Sequence, residues 1–277
     1  MSTAALQSTD YDYIRKLIRD RSGIVFEEGK EYLMDARLAS LARRENLESI
    51  CDLVAKIRLQ PLNGLHEKVV DAMTINETLF FRDIHPFEAL RNHLFPELLK
   101  QRAAVKNVNI WCAACSSGQE PYSTAIAATE FFRSHPGWTV RIVASDISAE
   151  MINRAMEGRY TQLEINRGLP APILVKYFEK AGVEWRVKEE IRSMVRFLRM
   201  NLIETWPYLP NMDIIFLRNV LIYFDVETKK AILTRVRRLM APDGHLFLGG
   251  AETTLYLDQA FEQVYYGKAS CCRLRNS

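Results

Sequence analysis

Apolar side chains recur at helical spacing through the N-terminal part of the chain. Ile14, Leu17 and Ile18 share one face of a helix that is predicted to end near Gly23. The predicted helices of this region begin at Ser8, at Glu28, after Ser49 and at Leu65. Short connections between such helices are typical of a small antiparallel bundle. The pattern therefore predicts an all-α N-terminal domain over residues 1–75.

After residue 105, short apolar runs alternate with amphipathic segments. The predicted strands cover residues 108–112, 139–144, 212–217 and 245–249, and the predicted helices cover residues 120–132, a segment after Ser148 and residues 226–240. This alternation indicates an α/β fold with a mostly parallel, doubly wound sheet. A hairpin is predicted at residues 261–274, and a terminal hairpin on such a sheet is typical of Rossmann-like class I methyltransferases rather than of dehydrogenase domains.

Two stretches depart from the alternation. Residues 76–102 form a predicted linker in which an irregular segment precedes a helix over residues 87–101. Residues 158–200 mix strand-like pieces with many charges, which predicts a small subdomain inserted into a sheet domain over residues 103–277. Pro242-Asp243-Gly244 has the sequence of a turn ahead of the strand at residues 245–249.

Composition excludes several classes of protein. Hydrophobic residues make up 48% of the chain and charged residues 26%, as in globular proteins with a core. No apolar run approaches the roughly 20 residues that cross a bilayer, and the first residues have no secretory signal, so we expect a cytoplasmic protein without membrane insertion. A net charge of +3 gives no argument for nucleic acid.

The cysteines favour neither disulfides nor a metal site. The chain has five cysteines, in positions that suit free thiols in a reducing compartment. Cys112 and Cys115 have metal-like spacing, but no second pair of this kind follows them. We therefore expect no bound metal.

Small and polar residues follow the predicted strands, where an open parallel sheet binds its ligand. The run at residues 112–120 lets backbone approach a ligand, although a tight turn explains it equally well. Asp146 either accepts hydrogen bonds from a ribose or caps the next helix. Arg218, Asn219 and Tyr223 suit either a pocket wall with a catalytic face or a loop that satisfies its own backbone.

A series of short motifs then appears in one order along the chain. They are Asn76–Arg82, Gly118–Ser123, Ala144–Ile147, Asn201-Leu202, Arg218–Phe224 and Pro242–Gly244. Together with the helical N-terminal domain, they resemble the CheR-type chemotaxis receptor methyltransferases. The resemblance implies S-adenosylmethionine as methyl donor, S-adenosylhomocysteine as product, and glutamates on the cytoplasmic helical region of methyl-accepting receptors as acceptors.

The resemblance also implies which residues bind the methyl donor. They are Asn76, Thr78, Arg82, Glu120, Asp146, Asn201, Leu202, Arg218 and Asn219. Arg82 and Tyr223 would be the catalytic residues, with Tyr223 near the transferred methyl. Some members bind a receptor's C-terminal pentapeptide through a Gly-x-Gly-Tyr loop, which residues 179–187 lack, so this chain resembles a pentapeptide-independent member. We expect a monomer, and the resemblance leaves room for a regulatory partner.

The chemistry of the proposed site needs no acid–base pair. A glutamate carboxylate is already a nucleophile at neutral pH, so alignment and exclusion of water would carry catalysis. Arg82 could pair with the carboxylate of the methyl donor or of the substrate. The alternative interpretation is that Arg82 is a surface arginine at the start of a helix. Glu120 could hold the donor's amino group or serve only the helix dipole.

Receptor recognition is predicted at the second helix. Lys30, Arg37 and Arg44 are seven residues apart and share one stripe of the helix. The stripe either faces an acidic receptor helix or is simply a solvated face.

Three rival functions remain at this point. An RNA methyltransferase would use the basic stretch 154–200 as a phosphate track. A silent scaffold would bind the methyl donor without transfer, although Arg82 and Tyr223 argue against it. A nicotinamide dehydrogenase is disfavoured, because the first strand-end loop has only Gly118 and the chain ends in a hairpin. The absence of an Asn/Asp-Pro-Pro-aromatic run after residue 217 also disfavours an amine or amide acceptor.

Overall fold

The structure is a computed structural model that describes residues 6–275. It divides into two compact units. The first contains residues 6–75 with Tyr223–Thr228, and the second contains Asn76–Ile222 with residues 229–275. The first five residues, where the absence of a signal was predicted, and the last two lie outside the described range.

The first unit is the predicted all-α domain. Its helices are α1 (Ser8–Ser22), α2 (Glu31–Arg44), α3 (Ile50–Leu59) and α4 (Gly64–Met73). Gly23 adopts the left-handed conformation after α1 and donates its amide to Arg19 O, as its sequence position predicts. The second helix begins three residues later than predicted, because Gly29 has a φ of +84° and breaks the helical backbone.

Polar contacts fix the helices of this unit around a buried apolar core. The Tyr11 hydroxyl donates to Asp35 Oδ1 over 2.8 Å and joins α1 to α2. The buried ring of His66 contacts Ile57 O at 2.8 Å and joins α4 to α3. Ile24 also forms an antiparallel bridge with Phe224, which explains why a short segment near residue 224 belongs to this unit.

The second unit is built on one large sheet. In chain order its elements are α5 (His85–Ala89), a π-helical turn (Leu90–Leu94), α6 (Phe95–Gln101), β1 (Asn107–Ala113), α7 (Gln119–Phe132), β2 (Thr139–Asp146), α8 (Ala149–Glu157), β3 (Arg159–Tyr160), α9 (Gln162–Asn166), α10 (Ala171–Tyr177), β4 (Phe178–Ala181), β5 (Glu184–Val187), α11 (Glu189–Arg192), β6 (Val195–Arg199), β7 (Met212–Leu217), a 3₁₀ turn (Leu221–Tyr223), α12 (Val226–Leu239), β8 (Met240–Leu248), β9 (Phe261–Tyr266) and β10 (Ala269–Leu274). The last residue of the 3₁₀ turn and the first residues of α12 belong to the first unit.

The strand order of the large sheet is β6-β2-β1-β7-β8-β10-β9. The strands from β6 to β8 run parallel, and only β10 and β9 are antiparallel to their neighbours. The predicted class I methyltransferase fold with a terminal hairpin is therefore confirmed. Parallel strands place their carboxyl ends at one edge of the sheet, and the motif loops after β1, β2, β6 and β7 meet there.

Three local predictions are wrong in detail. The linker helix is interrupted by the π-helical turn, because Pro96 has no amide proton to continue the α-helical pattern. The predicted turn at residues 242–244 is a bulge inside β8, where Asp213 alone faces residues 241–244. Only β3, β4 and β5 form the small separate sheet, since β6 is the edge strand of the large one.

Aromatic packing supports the sheet on the side of the linker. The rings of Phe87 and Phe216 stack with centroids 6.0 Å apart, and Phe216 stacks on Phe247 at 5.0 Å. All three side chains are buried. None of the helices within residues 6–275 is long and apolar enough to cross a membrane.

Candidate active site

The loop after β1 has a strained and tightly held backbone. Ala114 and Ser116 have φ values of +52° and +50°, which cost roughly 1–2 kcal/mol each for residues with a side chain. Gly118 has a φ of +95°, and an added Cβ would lie 2.9 Å from Ala155 Cβ. The buried Tyr160 hydroxyl donates to Ser117 O over 2.7 Å. The single glycine of this loop is therefore required by both conformation and space.

Asp146, at the end of β2, ties this loop to the next helix. Its Oδ2 accepts from the amide of Ser116 at 2.8 Å, and its Oδ1 accepts from the amide of Ser148 at 2.9 Å. Burial raises the pKa of the Asp146 carboxyl, and these backbone amides oppose the shift. The contact with Ser148 belongs to the capping alternative. A carboxylate accepts about four hydrogen bonds, so capacity for ribose hydroxyls remains, and the ribose role stays a prediction.

Arg218, directly after β7, is the centre of a charged cluster. Its side chain is only 2% exposed. Nη1 donates to Glu120 Oε2 at 2.9 Å, and Nη2 donates to Asp83 Oδ2 at 2.5 Å and to Arg82 O at 3.1 Å. Its buried Nε has no hydrogen-bond partner among residues 6–275. This one side chain therefore connects the loop after β7, the start of α7 and the linker.

Glu120 is the buried carboxylate of the cluster, with a side chain 12% exposed. Burial raises the pKa of the Glu120 carboxyl, whereas the charges of Arg218 and Arg82 lower it. Arg82, Arg218, Glu120 and Asp83 contribute two positive and two negative side chains, and the nearby charge of Glu252 adds to the raised pKa of Glu120. Such a site suits a zwitterion better than a simple anion or cation, because either would leave one charge uncompensated.

The linker segment that carries Arg82 is fixed on both sides. Phe80 is fully buried against the rings of Tyr160 and Phe178, with centroids 4.9 and 5.5 Å away. The amide of Phe81 donates to Ser123 Oγ at 2.9 Å, and Phe81 itself has a φ of +49°. Arg82 is half-buried and donates from Nη1 to Glu77 O at 3.1 Å. It thus turns back along the linker instead of capping α5.

The remaining predicted methyl-donor residues of this unit lie at the same sheet edge. Asn76 accepts a hydrogen bond at its carbonyl from Ser116 Oγ over 2.8 Å, and Thr78 follows it half-buried. Asn201 and Leu202 come shortly after β6, where Met200 donates its amide to Asp146 O at 2.8 Å. Asn219 has a φ of +59°. These residues thus lie in or beside the loops that also contain Glu120, Asp146 and Arg218.

Tyr223 and the three residues of the predicted basic stripe belong to the first unit. Lys30 lies outside the helical stripe, because α2 begins only at Glu31 and the backbone of Lys30 is not helical. The carbonyl of Tyr223 accepts from the amide of Val25 at 2.9 Å. Arg37 donates to the carbonyls of Met73 and Thr74 at 2.8 and 3.1 Å, and burial lowers the pKa of its guanidinium. The predicted basic stripe is therefore uneven, because Arg37 is engaged at the end of α4.

Lys30, directly before α2, and Arg44, the last residue of α2, are exposed. Lys30 pairs with Glu27 at 2.7 Å. A role in receptor binding stays a prediction for these two residues, and for Arg37 it would have to coexist with its contacts at the end of α4.

The sequence interpretation missed Asp83, Ser116 and Glu252 as members of the site. Asp83 follows Arg82 directly and could have been suspected from that position. Ser116 lies in the first strand-end run, where its left-handed backbone leaves no sequence signal. Glu252 is 33 residues from Asn219 in the chain and accepts a hydrogen bond from the Asn219 amide at 2.7 Å. A contact of that kind depends on the folded sheet and leaves no local pattern.

Cys112 and Cys115 are both buried, and burial raises the pKa of each thiol well above its ordinary value. Over residues 6–275 there is no group of three or more His, Cys, Asp or Glu side chains placed to hold a metal ion. The two thiols are therefore packed as small apolar side chains within the sheet domain.

Comparison with known proteins identifies the family of the chain. Residues 76–269 match the family described as CheR methyltransferase, SAM binding domain. Residues 9–74 match the CheR methyltransferase, all-alpha domain. These two matches cover the helical domain and all of the strand-end loops described above.

The chain is also similar to several characterised sequences along nearly its whole length. It is 42% identical to Chemotaxis protein methyltransferase Cher2 of Pseudomonas putida over 268 residues, which cover 95% of this chain and 96% of that protein. It is 42% identical to Chemotaxis protein methyltransferase 1 of Pseudomonas aeruginosa over 261 residues, covering 93% and 94%. The corresponding identity with Chemotaxis protein methyltransferase 1 of Vibrio cholerae is 38% over 267 residues, covering 95% and 96%. With the sheet order, the strand-end loops and both domain matches in agreement, the chain belongs to the CheR methyltransferase family and is an S-adenosylmethionine-dependent methyltransferase.

Proposed function

We propose that this enzyme methylates glutamate carboxylates on the cytoplasmic helical region of chemotaxis receptors. The names of the relatives support a substrate in chemotaxis. The observation that carries the proposal is the ion pair of the buried Arg218 and Glu120, which the half-buried Arg82 and the exposed Asp83 extend with one further charge of each sign. Such a cluster can bind the amino acid end of the methyl donor without adding a proton-transfer group to the site.

The fit of the methyl donor to this cluster rests on Arg218 and Glu120 together. Arg218 Nε is buried and has no partner within the described part of the chain. The Nε atoms of Arg15, Arg186 and Arg192 share this property, but Arg218 is the one that pairs with Glu120 at the strand-end loops. A carboxylate is the acceptor that a guanidinium prefers. Glu120 supplies the opposite charge for an ammonium group. The two side chains therefore match the carboxylate and the ammonium of a zwitterionic amino acid.

The nucleoside end of the methyl donor is assigned to the neighbouring loops. Asp146 would accept from the ribose hydroxyls with the acceptor positions that Ser116 and Ser148 leave open. Asn201 and Leu202 follow β6, which pairs with β2, and would contact the remainder of the nucleoside. The assignment of Asn76, Thr78 and Asn219 rests on the family motif and on their place at the same edge.

The proposed reaction needs alignment more than proton transfer. When bound, S-adenosylmethionine supplies a methyl carbon that its sulfonium already activates. A glutamate carboxylate at neutral pH is ionised, so no residue of this chain has to deprotonate it. Arg82, half-buried and held to Glu77 O, would orient a carboxylate in the site. Correct placement can contribute up to roughly 7–11 kcal/mol to lowering the barrier. Tyr223 is assigned to the catalytic face on the family resemblance alone.

The acceptor and the mode of docking are further parts of the proposal. The loop after β7 reads Arg218-Asn219-Val220-Leu221 and lacks the run that holds planar amines, which favours an oxygen acceptor. The hairpin between β4 and β5 turns at Gly182 and Val183 without a Gly-x-Gly-Tyr sequence. We therefore assign the enzyme to members that act without a pentapeptide tether. We also propose that it acts in the cytoplasm as a monomer, where its five free cysteines stay reduced.

The test is transfer of label followed by mild alkali. Purified enzyme is incubated with methyl-labelled S-adenosylmethionine and the cytoplasmic fragment of a chemotaxis receptor. Carboxyl methyl esters release methanol in base, whereas methylated amines do not. The proposal predicts volatile label that depends on the receptor's glutamates and is lost when they are replaced by alanine. Alkali-stable label, or label transferred to RNA in place of the receptor, would contradict it.

A further inference from the structure

One carboxylate collects the backbone amides of the loop that carries Arg218 and Asn219. Glu252 Oε1 accepts from the amides of Val220 at 2.8 Å and Leu221 at 2.6 Å, and Ile222 approaches it at 3.4 Å. Its Oε2 accepts from Asn219 at 2.7 Å and from Gly249 at 2.6 Å. Glu252 thus receives consecutive amides from one loop and a further amide from the end of β8.

The loop needs such an acceptor because of its backbone conformation. Asn219 is left-handed with a φ of +59°, and the 3₁₀ turn Leu221–Tyr223 begins two residues later. The first amides of a helical turn have no acceptor within the turn. Consecutive amides that point one way form a concave site for an anion. Glu252 fills that site with an anion from the same chain.

Close packing leaves the carboxylate little freedom to do anything else. A Cβ added at Gly249 would lie 2.6 Å from Asn219 Nδ2 and 2.8 Å from Glu252 Oε2. Only glycine at position 249 therefore allows the carboxylate and the Asn219 loop to approach. Charge-assisted hydrogen bonds from amides to a carboxylate are also roughly twice as strong as neutral ones.

We propose that Glu252 is a positioning residue for the methyl-donor site, whose carboxylate holds the backbone of residues 219–222 so that Arg218 and Asn219 face the ligand. The inference rests on the proposed methyl-donor roles of these two residues. Glu252 itself does not touch the reacting atoms. It holds the geometry of the loop in the free enzyme as well as in the complex, and its charge also contributes to the raised pKa of Glu120.

A carboxylate in this position can be replaced from solution, which gives a specific test. Glu252→Gln keeps the shape of the side chain but turns an NH₂ group toward backbone amides. Glu252→Ala leaves the amide site open, so formate or acetate can enter it. The matched control is Glu262→Gln on β9, where the carboxylate pairs with exposed Arg273 at 2.6 Å. Affinity for S-adenosylhomocysteine is measured by calorimetry, and kcat and KM are measured with receptor fragment.

The proposal predicts that Glu252→Gln weakens S-adenosylhomocysteine binding at least tenfold and raises KM for the methyl donor, with Glu262→Gln unchanged. For Glu252→Ala, formate should restore much of the affinity, whereas chloride at equal ionic strength should not. A general loss of folding would not respond to formate in this way. Wild-type affinity in a folded Glu252→Gln variant, or an Ala variant that formate does not rescue, would overturn the proposal.

The two proposals fail separately in these measurements. Binding of S-adenosylhomocysteine requires no receptor, so a weakened Glu252→Gln variant supports the positioning role whatever the acceptor is. Alkali-labile transfer by the wild-type enzyme tests the acceptor whatever Glu252 does. An unaffected Glu252→Gln variant beside normal receptor esterification would refute the positioning role alone.

Discussion

Arg218 Nη1 lies 2.9 Å from Glu120 Oε2, and this ion pair joins the end of β7 to the first turn of α7. Both side chains are almost entirely buried. Removal of one partner from such a buried pair destabilises the protein, because the remaining charge is left uncompensated. The pair therefore makes the charge state of Glu120 matter for ligand binding.

The affinity for the methyl donor should depend on pH through Glu120. An exposed glutamate has a pKa of about 4.3. Burial raises the pKa of the Glu120 carboxyl, so Glu120 becomes protonated at a higher pH than an exposed glutamate does. Only the ionised form attracts an ammonium group, and bound ligand in turn lowers the pKa. Affinity should therefore fall as pH decreases through the raised pKa of the free enzyme. Calorimetry in buffers of different ionisation enthalpy should show proton release on binding.

The control for this dependence is Glu120→Gln. This variant should bind S-adenosylhomocysteine more weakly and without the acid-side decline. An acid-side decline that persists in the glutamine variant would assign the titration to another group.

Replacement of Arg82 by alanine should remove most methyl transfer while leaving the fold intact. Among residues 6–275 the side chain donates one hydrogen bond, to Glu77 O, so its removal leaves a single backbone carbonyl without that donor. Loss of a charge-assisted contact of about 1.5–3 kcal/mol corresponds to a decrease of roughly ten- to more than a hundredfold in kcat/KM. Steady-state kinetics measure this loss, and thermal unfolding reports the fold.

Arg91→Ala is the matched control, because Arg91 is an exposed arginine of the same linker. Its kinetics should equal those of the wild type. Full activity of Arg82→Ala would show that Arg82 does not orient a carboxylate during transfer.

Gly168 should be required for both stability and binding of the methyl donor. It has a φ of +97°, and an added Cβ would lie 2.1 Å from Phe80 O, in the segment that leads to Arg82. Gly168→Ala should therefore cost more than about 3 kcal/mol in the free energy of unfolding and should weaken S-adenosylhomocysteine binding. Denaturant unfolding and calorimetry measure the two effects.

Gly182 offers a comparison that separates space from backbone conformation. It has a φ of +69°, but an added Cβ would meet nothing within 4 Å. Gly182→Ala should cost only about 1–2 kcal/mol and should leave binding unchanged. Equal costs at the two glycines would argue against the close contact with Phe80.

Arg37 on the one hand, and Arg44 and Lys30 on the other, should fall into two functional classes. Arg37→Met removes the contacts with Met73 O and Thr74 O and should lower the free energy of unfolding by about 1–3 kcal/mol. Charge reversal at Arg44 and Lys30, which are exposed, should instead reduce receptor methylation. Unfolding curves and the KM for receptor fragment measure these outcomes.

Salt dependence provides the control for the charge reversal. If Arg44 and Lys30 attract an acidic receptor helix, added salt should reduce the difference in KM for receptor fragment between the wild type and the charge-reversed variant. A wild-type KM in the reversed variant at low salt would mean that this face does not meet the receptor.

The sequence was sufficient to predict the elements whose pattern is local. The strand Met212–Leu217 and the hairpin Phe261–Leu274 occur where alternation and turn residues indicated them. The bulge at residues 241–244 could not be predicted, because it forms where β8 pairs with Asp213 of the neighbouring strand β7. The same reason explains β6, whose place at the edge of the large sheet is decided by pairing with β2.

The candidate site also contains residues that the sequence indicated and contacts that only the folded structure shows. Glu120 and Asp146 could be singled out because strand ends and helix starts mark where ligands bind in such sheets. The environment of Arg218 Nε, which lacks a partner among the described residues, and the hydrogen bonds of Glu252 to backbone amides depend on contacts between residues far apart in the chain. Burial and hydrogen-bond satisfaction at such points follow from the folded structure alone.

Titration of the purified enzyme with S-adenosylhomocysteine is the sharpest test of the site. We expect Arg82, Asp83, Glu120 and Arg218, together with Asp146, to bind a zwitterionic nucleoside at the carboxyl edge of the sheet. Calorimetry should show saturable binding to one site per chain, and adenosine, which lacks the amino acid part, should bind far more weakly. Absence of binding, or equal affinity for adenosine, would show that these residues do not form a site for the methyl donor.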